Sequence, residues 1–198
     1  MTERLMDGIW KQMKLSKGLE DSDKDIYIFG LYQGAILLLN ICTSLLIGVI
    51  LNMVFEIILY LIFFIPLRIF AGGYHAKTQL RCYIMSSATT VLILLGIRFL
   101  QRYSSIWELI CFVVAFCVIW IFVPVADANK PLLDKEKISY KKKVRKILVI
   151  LTAIAGIAYI LKEFVVMTVI EMSVCFLSII LIMGLYKNKK LMKNSEQG

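Results

Sequence analysis

A histidine and a cysteine seven residues apart are the residues of this chain best suited to nucleophilic chemistry. They are His75, the only histidine, and Cys82, both in the stretch RIFAGGYHAKTQLRCYIM, residues 68–85. A neutral imidazole can take the proton of a thiol, and the resulting thiolate is a strong nucleophile. Lys77, Arg81 and the N-terminus of a following helix would favour that thiolate. The pattern therefore predicts a cysteine nucleophile with a histidine base.

Helical geometry limits how these two residues can meet. On one continuous helix their side chains would stand about 10.5 Å apart along the axis, whereas proton transfer needs heavy atoms about 3 Å apart. Gly72 and Gly73 precede the histidine, and glycine tolerates backbone conformations closed to other residues. We therefore expect the two glycines to end or bend the preceding helix, so that His75 folds back towards Cys82. Backbone N–H groups freed there would be candidate oxyanion donors.

Spacing alone leaves a structural alternative open, in which His75 is a polar residue at an interface and Cys82 a small buried one. A metal site is not expected, because one histidine and one cysteine supply too few ligands for tetrahedral zinc. No other cofactor is expected. The five cysteines are an odd number, and four of them lie inside apolar blocks, so a disulfide framework is not expected either.

The composition is that of an integral membrane protein. Of the 198 residues 60% are hydrophobic, and the mean hydropathy is +0.79, whereas soluble domains are roughly 45–50% apolar. The apolar residues fall in blocks long enough to cross about 30 Å of hydrocarbon. The net charge of +9 comes from basic residues at the ends of these blocks. They indicate topology and contact with membrane lipid, and no nucleic acid partner is expected.

The apolar blocks predict an all-α polytopic fold of about six transmembrane helices. The membrane domain covers 26–186, and its first two spans are joined by a tight turn near Asn52. The later spans are 82–102, 107–125, 146–161 and 164–186. Residues 1–25 are expected to form an amphipathic helix at the membrane interface, although this helix would equally suit packing on the protein's own loops. Residues 187–198 form a basic tail.

Basic residues also predict the orientation. All but three of the 23 Lys and Arg residues precede the first span, follow the sixth, or lie between spans two and three or four and five. The exceptions are Arg98, Arg102 and Lys162. Because cytoplasmic segments carry an excess of Lys and Arg, both termini and the loop 68–82 are predicted to be cytoplasmic.

The loop 127–146 carries the densest positive charge of the chain. One interpretation is attraction to anionic lipid, worth about 1 kcal/mol per basic residue near the surface. The other is a docking site for an acidic peptide. Two carboxylates, Glu56 and Glu171, fall within spans and have no assigned role, although ionisable groups are expensive there.

Two other functional classes remain open on these residues. A small membrane peptide exporter or transporter would use Glu56, Glu171, Gln33 and Asn40 as a pathway, and would need neither His75 nor Cys82. A membrane adaptor would use only the basic loops.

Two motifs resemble one known family. They are the segment RIFAGGYHAKT with a cysteine seven residues after its histidine, and the segment PVADANKPL, residues 124–132, before a basic run. In a small protein of about six spans they resemble the AgrB family of accessory gene regulator proteins. The resemblance extends over essentially the whole chain. It implies a multi-pass cysteine endopeptidase of the bacterial cell membrane that processes an AgrD-like peptide precursor in quorum sensing.

The resemblance also implies roles for individual residues. Cys82 and His75 would be catalytic, with cleavage after the signal core through an enzyme thioester. A nucleophile inside the core would then release a thiolactone or lactone ring. A third catalytic residue is not identified, and a homodimer is suggested but left open. The expected positioning or oxyanion residues are Arg68, Gly72, Gly73 and Lys77. The expected contacts to the acidic tail of the precursor are Lys130, Lys141, Lys142, Lys143 and Arg145.

Overall fold

The computed structural model describes residues 24–74, 78–102, 106–125 and 133–195. By its internal contacts the chain divides into two units, residues 1–43 and 44–198, and the packing below is that of the second unit. Residues 1–23, most of the predicted amphipathic segment, lie outside the described ranges.

Regular structure in the described ranges is helical, which confirms the all-α prediction. The six helices of these ranges are α1 (Lys24–Ile50), α2 (Val54–Ala71), α3 (Gln79–Arg102), α4 (Ile106–Phe122), α5 (Asp134–Ile160) and α6 (Phe164–Ser195).

Four of these helices contain segments long and apolar enough to cross a membrane, namely Gly30–Ile50, Val54–Ala71, Gln79–Gln101 and Phe164–Leu191. The chain is therefore a multi-pass helical membrane protein. The apolar part of α4 is shorter, and α5 joins a charged first half to an apolar second half. Membrane crossing by these two helices, and hence a count of six spans, stays a prediction.

The turn between the first two helices falls at the predicted place. Helix α1 ends at Ile50, α2 begins at Val54, and Asn52 has a φ of 53°, in the left-handed region that asparagine enters more readily than most residues. Arg98, in the last part of α3, donates a hydrogen bond to the carbonyl of Leu51. This bond places the end of α3 beside the α1–α2 turn, as alternating spans require.

Helix α4 is shorter than the predicted span 107–125, because it ends at Phe122. The reason is Pro124, which has no N–H to donate and pushes the preceding residue out of the helical region. Val125 instead forms an isolated parallel bridge with Gly72.

Helix α6 lies at the centre of the bundle and packs against α2, α3, α4 and α5. Its fully buried apolar side chains are Val169, Ile170, Val174, Leu177 and Leu181. One core cluster joins α6 to α2, α4 and α5, and a second joins it to α2 and α3. Because lipid is as apolar as these side chains, close packing between helices, more than removal from water, stabilises such an arrangement.

Candidate functional site

The helix that carries Arg68 ends before His75, as predicted. Helix α2 stops at Ala71, and the next helix begins at Gln79. Gly72 has a φ of 71° and Gly73 a φ of 106°, values that residues with a Cβ rarely adopt. The two glycines therefore break the helix, and the segment 68–82 is not one continuous helix.

A second chain segment fixes this break. The N–H of Gly73 donates to the carbonyl of Val125 at 2.9 Å, and the N–H of Val125 donates to the carbonyl of Ala71, also at 2.9 Å. A Cβ on Gly72 would fall against the Val125 carbonyl oxygen. Glycine at position 72 is thus required both by its φ and by the close approach of another backbone.

Arg68 holds the loop from inside α2. Its guanidinium donates to the carbonyl of Gly72, and its Nη2 donates to the carbonyl of Tyr74 at 2.7 Å. A planar guanidinium with several fixed N–H donors is suited to binding two acceptors at once. Arg68 thus binds two backbone carbonyls of the loop, and its role in the proposed chemistry stays a prediction.

The backbone N–H groups at the break are already engaged. Gly72 donates to the Arg68 carbonyl at 3.3 Å, Gly73 to the Val125 carbonyl, and Tyr74 to the Ile180 carbonyl at 3.2 Å. A role for these groups as oxyanion donors would require the bonds to open. The geometry accordingly favours loop positioning as the role of the two glycines.

Cys82 lies at the end of the first turn of α3. Thr78 precedes the helix, and its Oγ1 accepts from the N–H of Arg81 at 3.4 Å, the position of a helix N-cap. The N–H of Cys82 donates to the Thr78 carbonyl at 3.1 Å. The thiol is half-buried, and the positive end of the helix dipole acts in this first turn.

His75 and Lys77 lie outside the described residues. In the sequence, His75 directly follows Tyr74, the residue whose carbonyl Arg68 binds, and the helix with Cys82 begins at Gln79.

The basic segment is helical from Asp134 onward. The Glu136 carboxylate accepts from the N–H of Leu133 at 3.0 Å and caps the start of α5. Among the residues expected to bind the acidic tail, Lys130 lies outside the described ranges. Lys142 is exposed and Lys141 half-buried.

Two other members of that set, Lys143 and Arg145, contact other residues of the chain. The ammonium of Lys143 lies 4.8 Å from the centre of the Phe70 ring. Arg145 donates to the carbonyl of Trp120 through Nη2 at 2.9 Å and Nε at 3.3 Å, and its guanidinium lies 4.6 Å from the Trp120 ring. The Trp120 carbonyl would normally pair with the N–H four residues later, which Pro124 lacks. Arg145 supplies the missing donor.

Several residues of the site were not identified from the sequence. Val125, Ile180 and Gly184 contact the loop from segments that are distant in sequence. The sequence contains two signals near these residues. Pro124 marks a break after α4, next to Val125, and Gly184 is an isolated glycine in an apolar helix, which often marks close backbone packing. Neither signal identifies the partner.

The two intramembrane carboxylates are apart from this loop in sequence. Glu171 is buried in α6, and one of its carboxylate oxygens has no hydrogen-bond partner in the part of the chain that the structure describes. Glu56 is half-buried in the first turn of α2. Among the described residues, no three His, Cys, Asp or Glu side chains converge as a metal site would require.

Comparison with known proteins identifies the family of this chain. Residues 3–183 match the family described as AgrB, accessory gene regulator B. Two AgrB-like proteins from Clostridium perfringens, one from strain SM101 and one from strain 13, are each 26% identical over 172 residues. These alignments cover 81% of this chain and 78% of the relative. No solved structure matches the chain.

The contacts of Arg145 generate a stability prediction. Replacing Arg145 by Met should lower the free energy of unfolding by about 1.5–3 kcal/mol, because the Trp120 carbonyl loses its charged donor. Lys142 is exposed and binds no such carbonyl. The free energy of unfolding of Lys142→Met should therefore stay within about 0.5 kcal/mol of wild type. Unfolding of the detergent-solubilised protein measures both. Equal stability of the two variants would contradict this role of Arg145.

Proposed function

The chain belongs to the AgrB family, and from this premise we propose that it is a membrane cysteine endopeptidase that matures a cyclic signalling peptide. Family membership itself supports a part in the peptide processing of accessory gene regulator quorum sensing. The observation that carries the finer proposal is that the family match includes the loop with His75 and the helix turn with Cys82. The substrate is an AgrD-like precursor.

The first proposed step is acyl transfer to the enzyme. His75 takes the thiol proton of Cys82, and the thiolate attacks the carbonyl carbon at the end of the signal core. The peptide C–N bond breaks as the C–S bond forms, and the imidazolium returns the proton to the leaving amine. The acidic C-terminal tail departs, and the core stays attached to Cys82 as a thioester.

The second step forms the ring. A thiol or hydroxyl inside the core attacks the thioester carbonyl, and the Cys82 thiol is regenerated when its C–S bond breaks. Exchange of one thioester for another is nearly neutral in free energy. The outcome therefore depends on holding the internal nucleophile close and on keeping water away, which a site at the membrane edge would favour.

The described geometry supports this scheme at three points. The helix break allows His75 to turn away from the axis of α2. Cys82 lies in the first turn of α3, which directly follows the Thr78 N-cap. Arg68 holds the carbonyls on either side of Gly73, which fixes the start of the segment that leads to the histidine.

The basic face of α5 is the proposed contact for the acidic tail. Among the members of the predicted set that the structure describes, the exposed Lys142 and the half-buried Lys141 make no structural contact of the kind described for Arg145. Electrostatic complementarity of this kind orients a substrate and speeds its association. Lys143 and Arg145 would add to the positive potential from their positions in the fold.

The Lys and Arg distribution leads us to place this reaction on the cytoplasmic side. Peptide export is the competing function, and it would use the buried Glu171 rather than the cysteine. The match to a peptide-processing family favours proteolysis.

Loss of either catalytic residue should abolish processing. When the precursor is coexpressed with Cys82→Ala or His75→Ala, we expect it to keep its full mass. Loss of either group should lower the rate of precursor cleavage by at least about a hundredfold. Mass spectrometry of the precursor measures this. Cys117→Ala is the matched control, since Cys117 is exposed on the apolar surface of α4. Normal processing by Cys82→Ala would rule out the proposed function.

The tail contact predicts a change in KM. Lys142→Glu should raise KM for the precursor up to about fivefold, the range of one exposed charge contact, and leave kcat unchanged. A precursor whose tail acids are replaced by their amides is the control, and wild type and variant should process it alike. An equal rise in KM with both precursors would argue against recognition of the acidic tail.

Thiol labelling tests the side of the membrane. Cys42, Cys111 and Cys117 are exposed on apolar helices, where a membrane-impermeant maleimide does not reach them. We therefore expect Cys82 to be labelled in inside-out vesicles and not in intact cells, with Cys82→Ala as the blank. Labelling in intact cells would place the site on the outer face.

A further inference from the structure

The end of α6 that carries Gly184 and Lys187 contacts the loop before His75 at three points. At the first, the carbonyl of Ile180 accepts from the N–H of Tyr74 at 3.2 Å. The backbone of Gly73 is packed against the same residue, since a Cβ on Gly73 would lie 2.9 Å from the Ile180 Cγ2. An α6 carbonyl thus binds the residue immediately before the histidine.

Gly184 is the second contact. A Cβ built on Gly184 would lie 2.8 Å from the carbonyl carbon of Gly73 and 2.8 Å from the nitrogen of Tyr74. Both neighbours are backbone atoms, so no side-chain rotation can relieve the overlap. Only glycine at this position lets the loop lie directly on the helix.

Lys187 is the third contact. Its ammonium lies 5.3 Å from the centre of the Tyr74 ring, within the range of a cation–π interaction. Ile180, Gly184 and Lys187 are spaced by four and three residues, so they share one face of α6. Their common neighbour is Tyr74.

We infer that this face of α6, with Gly184 and Lys187 as positioning residues, sets the placement of Tyr74 and thereby of the histidine that follows it. The inference rests on the proposed function, in which His75 is the base. Tyr74 is held from both sides, because Arg68 binds its carbonyl at 2.7 Å while α6 binds its N–H and its ring. Proton transfer from Cys82 needs a separation of about 3 Å, so a small shift of Tyr74 changes the chemistry without removing a catalytic group.

Gly184→Ala is the direct test. The added methyl displaces the Gly73–Tyr74 backbone, and a misplacement of about 1 Å can cost on the order of a hundredfold in rate. We expect kcat for precursor cleavage by the full-length protein in membranes to fall about tenfold to a hundredfold, with KM little changed. Gly156→Ala is the matched control, since a Cβ on that α5 glycine meets no atom within 4 Å. It should keep the wild-type kcat.

Lys187 provides a second test that does not alter the backbone packing. Lys187→Met should lower kcat about threefold, the size expected for loss of a half-buried cation–π contact. Lys187→Arg keeps a cation over the ring and should restore the rate, whereas a purely structural role for the aliphatic stem would be served equally by Met. Tyr74→Phe should retain activity and Tyr74→Leu should not.

A pH series separates positioning from general damage. Alkylation of Cys82 by iodoacetamide near neutral pH should slow in Gly184→Ala towards the rate of His75→Ala, because the base is misplaced, while the rates converge at alkaline pH. If Gly184→Ala and Lys187→Met both show the wild-type kcat and the wild-type alkylation rate while Cys82→Ala is inactive, this inference is overturned and the proposed function stands. If Gly184→Ala does not accumulate, the Lys187→Met and Lys187→Arg pair decides. Processing by Cys82→Ala would instead overturn the proposed function.

Discussion

Backbone groups in an apolar environment must find partners within the protein, and this constraint determines how α2 can be broken. A helix that ends leaves carbonyls without the donors of the next turn. Arg68 binds the carbonyls of Gly72 and Tyr74, and Val125 donates to that of Ala71. Since an unpaired buried polar group costs about 1–3 kcal/mol, the break depends on a side chain from the broken helix and on backbone from another segment.

Much of this arrangement is readable from the sequence because it is local. The apolar blocks predict the helices, Asn52 lies in the turn of the first hairpin, and the glycine pair falls at the end of α2. Sequence patterns report such features since each depends on the conformational freedom of one or two residues. The apolar block alone predicts a longer α4 than the structure has, because Pro124 ends the helix before the block does.

The residues that contact the loop from other segments could not be predicted from the sequence. Val125 lies more than fifty residues from Gly72, and Ile180 more than a hundred from Tyr74. Nothing in the local pattern of α6 distinguishes Gly184 from a glycine in open space such as Gly156, because the difference lies in which segment approaches it. The site residues assigned by resemblance likewise stay predictions where they fall outside the described ranges, as His75, Lys77 and Lys130 do.

Positive charge in this chain does more than set topology. Arg68, Arg98 and Arg145 each donate to a backbone carbonyl at or near the end of a helix. An arginine can do this beside lipid because its long stem is apolar and its planar group has several donors. An arginine engaged in this way keeps its charge, but the N–H donors that bind the carbonyl are not free to bind an acidic ligand directly.

The parallel bridge between Gly72 and Val125 joins two chain segments that both leave it in the same direction. One continues through Tyr74 to the histidine, and the other continues from Val125 towards the basic helix α5. In the proposed function, the loop that leads to the histidine and the segment that leads to the tail-binding helix therefore share one anchor. A substitution that opens this bridge would disturb both proposed parts of the site at once.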